Sequence, residues 1–225
     1  MRVCQKFAIA ASLVGASLVA EPASSSTINV SRQGGGLFAN ASSTVNWTLT
    51  SPSDSGASSA GQFRLTGDNG FGDFLAWCIE LTDFLVGGGG DSDAYHVNPT
   101  TIASATARAN IGSLFDTHYG SLDFDDGVEM AGFQTAIWEA RYDDDLDLDD
   151  GLFLLGNTNG VRTAAQTFLD TLDPSAPRRW DLTYLESDEG QDLVTPAPIP
   201  LPASALLLLG GLGGLGGLRW AKRRG

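Results

Sequence analysis

Lysine is nearly missing from this chain: of 225 residues only Lys6 and Lys222 are lysine, one near each end. Histidine is limited to His96 and His118, and cysteine to Cys4 and Cys78. That inventory contains no zinc-ligand spacing. There is no Gly-x-Ser-x-Gly elbow, no phosphate loop and no dinucleotide fingerprint, so hydrolase, kinase and oxidoreductase readings lack a motif. No cofactor is expected, and the chain is not expected to be a turnover enzyme. Internal repeats are absent too.

Positive charge is also scarce. From residue 24 onward, up to the C-terminal basic cluster, 26 acidic residues face seven arginines, a balance near −19. Such a surface repels nucleic-acid phosphates and anionic lipid, so neither is expected as a partner through bulk charge.

What the sequence does contain is concentrated first at its ends. Residues 1–23 resemble a secretory signal, with Arg2 and Lys6 ahead of an uncharged h-region from Phe7 to Val19 and small residues Ala16, Ala20 and Ala23 as cleavage points. Cys4 is lost with it, which leaves Cys78 alone and permits no intramolecular disulfide in an oxidising compartment. At the other end, residues 195–225 are expected to form a Pro-rich spacer, an apolar run without charge to Leu218, and a basic cluster of Arg219, Lys222, Arg223 and Arg224. About 20 apolar residues suffice to cross a bilayer core. The basic end stays cytoplasmic, which places the rest of the chain outside.

The tail resembles the PEP-CTERM class of sorting signals, in a variant with Pro200-Leu201-Pro202-Ala203 where others carry Pro-Glu-Pro. The resemblance implies recognition by an exosortase-type membrane enzyme and cleavage near the proline box. The protein would then be anchored in the inner membrane before processing, and at the cell surface or outside the cell afterwards.

Residues 24–194 remain as the expected exported domain, long enough for one core. Strands are expected at 45–50, 62–66, 74–81 and 94–97, with 34–36 and 51–61 as loops. The 74–81 stretch is the most apolar and should lie in the middle of a sheet. After Pro99 the hydrophobic period changes to about 3.6, predicting helices over 101–119, 128–141 and 161–172, the second capped by the Asp125-Asp126-Gly127 turn. Late strands at 180–185 and 191–194 complete an α+β pattern: a strand-rich domain with a helical insert.

Two features invite chemistry. Asp145, Asp147 and Asp149 alternate as in a calcium loop, but the Gly and Glu such a loop requires are missing, and a solvated acidic loop is the expectation. The second is the pair Cys78 and Gln134. Helical spacing puts Gln134 on a face with Met130, Ala131, Ile137 and Trp138, so its amide points to the core and must find partners there. A Gln bonded to backbone and a Cys serving as a small hydrophobe would meet that need without chemistry.

The segments Trp77-Cys78-Ile79-Glu80 and Gln134-Thr135-Ala136-Ile137-Trp138 nevertheless resemble the thioester-domain (TQXA) family of bacterial surface adhesins; Phe133 stands where that family usually has Thr. The resemblance implies that Cys78 and Gln134 condense to an internal thioester with loss of ammonia, sheltered by Trp77, Phe133 and Trp138. A surface target bearing an amine or hydroxyl would be captured covalently, with Glu80 or His96 assisting proton transfer. The alternative is a non-reactive structural protein of the envelope or biofilm matrix.

Overall fold

A computed structural model describes residues 26–85, 92–156 and 160–199. The secretory segment, the Pro200–Ala203 box, the apolar run and the basic cluster therefore lie outside the described residues. Among those described, no helix is long and apolar enough to cross a membrane.

The domain is α+β. Six strands close into a barrel in the order β1 (Thr27–Arg32), β4 (Phe63–Gly67), β5 (Gly72–Cys78), β9 (Leu193–Pro198), β8 (Trp180–Glu186) and β6 (Ser92–Val97), all antiparallel, with β6 returning to β1. A second sheet has the order β3 (Ser53–Ala60), β2 (Ser43–Thr50), β7 (Phe153–Leu155). The helices α1 (Ala105–His118), α2 (Gly127–Tyr142) and α3 (Val161–Asp170) are inserted between β6 and β8. As expected, β5 lies inside its sheet, between β4 and β9.

The helix that positions the site is α2. Asp126 caps it by accepting from the backbone N–H groups of Val128 and Glu129, and Glu129 sits in the first turn where the helix dipole favours negative charge. From Met130 to Ala140 every residue is buried. A helix apolar all round belongs inside a core, and α2 contacts β5 of the barrel on one side, β2, β3 and β7 of the second sheet on another, and α1 and α3 besides. Gly132 permits the α3 approach, since a Cβ there would fall 2.6 Å from that of Ala164.

Several expectations need correction. Residues 53–60 form a strand, not a loop: β3 pairs with β2 over its whole length, the indole of Trp47 lies over Gly56, and Trp47 Nε1–H donates to Ser58 Oγ at 2.9 Å. Small polar residues have low strand preference, but an edge strand with one solvated face tolerates them when a partner supplies the packing. Strand β1, with Ile28 and Val30 buried, and strand β7 were not expected at all. Strand β9 runs to Pro198, so 195–198 belong to the barrel and not to a spacer. In the acidic stretch, Asp143 is buried and accepts from the backbone N–H groups of Leu152 and Phe153, tying the loop to β7, while Asp149 pairs with Arg162 at 2.6 Å. Among the described residues no three carboxylate, His or Cys side chains gather to hold a metal ion.

Candidate functional site

Cys78 closes β5, opposite Leu193 of β9, and Gln134 sits in the middle of α2. The packing of α2 on β5 brings them together. The backbone N–H of Cys78 donates to Gln134 Oε1 at 3.1 Å, and Gln134 Nε2 donates to the Cys78 carbonyl at 2.7 Å. This reciprocal pair settles which end of the carboxamide is oxygen, because each backbone group admits only its complement. Both residues are 1% exposed.

The thiol of Cys78 donates to the backbone carbonyl of Glu80, which also accepts from Gln191 Nε2 at 3.2 Å. Those bonds explain why the strand ends earlier than the apolar run suggests: the Glu80 carbonyl turns inward and leaves the ladder. Burial pushes the thiol well above its ordinary pKa. Trp138 opposes that rise; its indole N–H makes no hydrogen bond of good geometry yet lies close enough to the sulfur to favour the thiolate. Glu80 adds a smaller repulsion that raises the thiol further.

Trp77, Phe133 and Trp138 are all buried. Phe133 meets the rings of Trp77, Phe115, Tyr119 and Phe168 edge-on or tilted, and Trp77, next to Cys78 on β5, faces that cluster on the other side of the strand, which leaves Trp138 as the aromatic beside the thiol. Glu80 is near the thiol by its backbone, while its carboxylate accepts from Thr82 Oγ1 at 2.7 Å and from the Asp83 N–H at 3.2 Å. His96 is not brought to the site: on β6 the buried Tyr95 points inward, so its neighbour His96 faces solvent, where it bonds Thr27.

Sequence reasoning missed three neighbours. Tyr142 accepts the Leu81 N–H at 3.1 Å, Gln191 fixes the Glu80 carbonyl, and Asp192 holds the Ile79 N–H through its backbone oxygen. Nothing in their local patterns marks them, since each is placed by contacts between residues far apart in the chain.

Glu139 was missed as well. It is fully buried, and neither carboxylate oxygen meets a donor in good geometry. Burial first, then the carboxylates of Asp143, Asp145 and Asp147, push its pKa from 4.5 up to about 8, with the Asp147 backbone pulling weakly the other way. The folded state thus keeps a proton that the unfolded chain releases, and stability falls as pH rises from 4.5 to about 8. Asp192, pushed up to about 7 chiefly by burial, contributes a slope of the same sign. Glu139→Gln should flatten the pH dependence and raise stability most near the alkaline end; urea denaturation across this window checks it, and an unchanged slope would contradict it.

No family profile and no characterised protein sequence matches the chain. Among solved structures, the fold is similar to the N-terminal thioester domain of the fibronectin-binding protein SfbI from Streptococcus pyogenes, at 14% identity and a TM-score of 0.43, covering 77% of this chain and 94% of that one. It is similar to the N-terminal domain of the pilus tip adhesin Cpa from the same species, at 16% identity and TM-score 0.41, covering 61% and 84%. A third likeness is to the N-terminal thioester domain of a surface protein from Clostridium perfringens, at 13% identity and TM-score 0.40, covering 70% and 100%.

Proposed function

We propose that this is an exported cell-surface protein that captures amine- or hydroxyl-bearing targets through an internal thioester between Cys78 Sγ and Gln134 Cδ. The observation that supports this reading best is the reciprocal pairing of the Gln134 carboxamide with the Cys78 backbone in a site sealed from solvent. The pairing fixes the carboxamide beside residue 78, which would lower the orientational cost of reaction once the thiol leaves the Glu80 carbonyl, and exclusion of water would protect the product.

In this scheme the sulfur adds to Cδ, negative charge develops on Oε1 and is met by the Cys78 N–H already bonded there, and the C–N bond breaks. The amide nitrogen leaves as ammonia, carrying the former thiol proton. A target amine or hydroxyl then attacks the thioester carbonyl, forms an amide or ester with Gln134 and returns Cys78 to a thiol. The scarcity of lysine suits a chain that must not quench its own electrophile.

The second reading, a non-reactive structural protein of the envelope or matrix, draws on the same hydrogen bonds, which satisfy the buried amide without any bond to sulfur. Mass spectrometry separates the two. Protein recovered from the envelope or medium should be one ammonia lighter than its processed sequence, and methylamine should add itself at Gln134. Full mass with an alkylatable Cys78 would leave the structural reading standing.

Surface delivery is proposed on the sequence of the two ends: export by residues 1–23, a membrane stop through the C-terminal apolar run, and processing near Pro200-Leu201-Pro202-Ala203 by an exosortase-type enzyme.

A further inference from the structure

Residues 187–192 join β8 to β9 and close one side of the Cys78 site. The loop is braced from within: Ser187 Oγ accepts the N–H groups of Glu189 and Gly190 at 3.3 and 3.0 Å, and the Asp192 carboxylate accepts the Ser187 N–H at 3.1 Å. Three further bonds tie it to the barrel and to the chain that follows β5. The Tyr95 hydroxyl donates to the Gln191 carbonyl at 3.0 Å, the Gln191 N–H to the Phe84 carbonyl at 3.3 Å, and the Ile79 N–H to the Asp192 carbonyl at 3.0 Å. Gln191 is thus held in place by its backbone, before its buried side chain makes any bond.

That side chain reaches the carbonyl that holds the thiol. Gln191 Nε2 donates to the Glu80 oxygen at 3.2 Å, and the Cys78 thiol donates to the same oxygen. A carbonyl oxygen has two lone pairs and can accept both bonds, of which the thiol's is the weaker. While the thiol is intact, either bond alone satisfies the oxygen. Thioester formation removes that redundancy: the Sγ–Cδ bond forms, the Cδ–N bond of Gln134 breaks, and the thiol proton departs with ammonia. The sulfur then has no hydrogen to donate. A buried carbonyl without a donor is costly, so the Glu80 oxygen comes to depend on the Gln191 amide.

We propose that Gln191 is a positioning residue for this reaction: its amide keeps the Glu80 carbonyl satisfied when the Cys78 sulfur leaves it for Gln134, and so favours the thioester over the free thiol. The inference rests on the thioester reading and deepens it, since Gln191 acts through Glu80 and not on the reacting atoms. It also gives a reason for a second buried glutamine beside the sulfur, where an apolar side chain would fill the space at a lower desolvation cost.

Ammonia is the product of bond formation and therefore reverses it, so the ammonium concentration that returns half of the protein to full mass measures the balance between thiol and thioester. Intact-mass titration of the full chain in detergent should place that midpoint about tenfold lower in Gln191→Met, which keeps an unbranched side chain but loses its donor, than in the parent. Gln191→Leu should match it. Gln62→Met is the control, because it also deletes a buried amide, one bonded to the Tyr119 hydroxyl at 2.7 Å and to Asn40 at 3.1 Å. It should lower stability to urea and leave the midpoint unchanged, whereas a merely structural Gln191 would likewise move stability alone. A parent at full mass without ammonium overturns the thioester reading and this inference with it. A parent that forms the bond, with an unmoved midpoint in both Gln191 variants or an equal shift in Gln62→Met, overturns the role of Gln191 alone. Failure of both Gln191 variants to fold does the same, since the residue would then serve the fold.

Discussion

Cys78→Ala should abolish covalent incorporation of a biotinylated primary amine while leaving the protein folded. The separation is possible because both hydrogen bonds from the Gln134 carboxamide go to the backbone of residue 78 and not to its side chain. Removing the sulfur therefore keeps the amide satisfied and deletes only a small buried group, at a cost on the order of 1 kcal/mol. If Gln134 is only a structural residue, neither parent nor variant takes up amine. If the thioester forms, the parent labels at Gln134 and Cys78→Ala is blank.

Gln134→Glu is the complementary variant. The new carboxyl could keep the bond to the Cys78 carbonyl only by holding a proton that the unfolded chain releases at neutral pH, and in ionised form its oxygen would face that carbonyl unpaired, a mismatch that costs about 1 to 3 kcal/mol in a buried site. It should lose amine uptake and stability together, whereas Cys78→Ala loses only the first. Streptavidin blotting after amine incubation, with urea denaturation of both variants, reads the two effects separately; amine uptake by Cys78→Ala at the parent's level would dispose of the proposed bond.

The largest stability effect is expected at Phe133. Its ring is fully buried and lies 5.0 to 6.1 Å from the rings of Trp77, Phe115, Tyr119 and Phe168, so it joins α2 to β5, α1 and α3 at once. Phe133→Ala should cost about 3 to 5 kcal/mol, a large share of the 5 to 15 kcal/mol that domains have in total. Phe133→Thr, which would supply the residue usual in the family that the motif resembles, should cost nearly as much, because the hydroxyl would enter an all-aromatic pocket. Equilibrium denaturation gives both numbers. A loss below about 1 kcal/mol for either would mean that the cluster collapses around the gap more readily than its packing indicates. The same ring stands between Trp77 and α3, so a thioester in Phe133→Ala should hydrolyse faster than in the parent, measured as the return of a free thiol.

Much of this was legible locally. The change of period after Pro99, the Asp126 cap and the apolar run from Met130 to Ala140 are short-range signals, and α1, α2 and α3 formed where they pointed. The alternation at Val45, Trp47 and Leu49 marked β2 for the same reason. Strand β3 was illegible because Ser, Gly and Asp carry loop preferences, and only a partner strand with Trp47 to pack on Gly56 made them a ladder. Burial of Gln134 was expected from helical spacing, yet α2 buries every face from Met130 to Ala140 and not only the one that the spacing marked, because sheets and helices pack on it from all sides.

What the residues could not reveal alone is anything decided between distant segments. That Gln134 meets the backbone of Cys78, that the Glu80 carbonyl turns in toward the thiol, and that Glu139 is sealed without a partner all depend on how α2 is clamped between barrel and second sheet. The cleft that Arg108 of α1, Arg178 of the following loop and Tyr184 of β8 line together is more extreme, since a helix, a loop and a strand share no local pattern. Sequence determined which groups were available and which faces had to be buried, because periodicity and capping act within a few residues. Tertiary packing decided which of those groups touch, because long-range contacts are chosen by the whole core and not by any one stretch of chain.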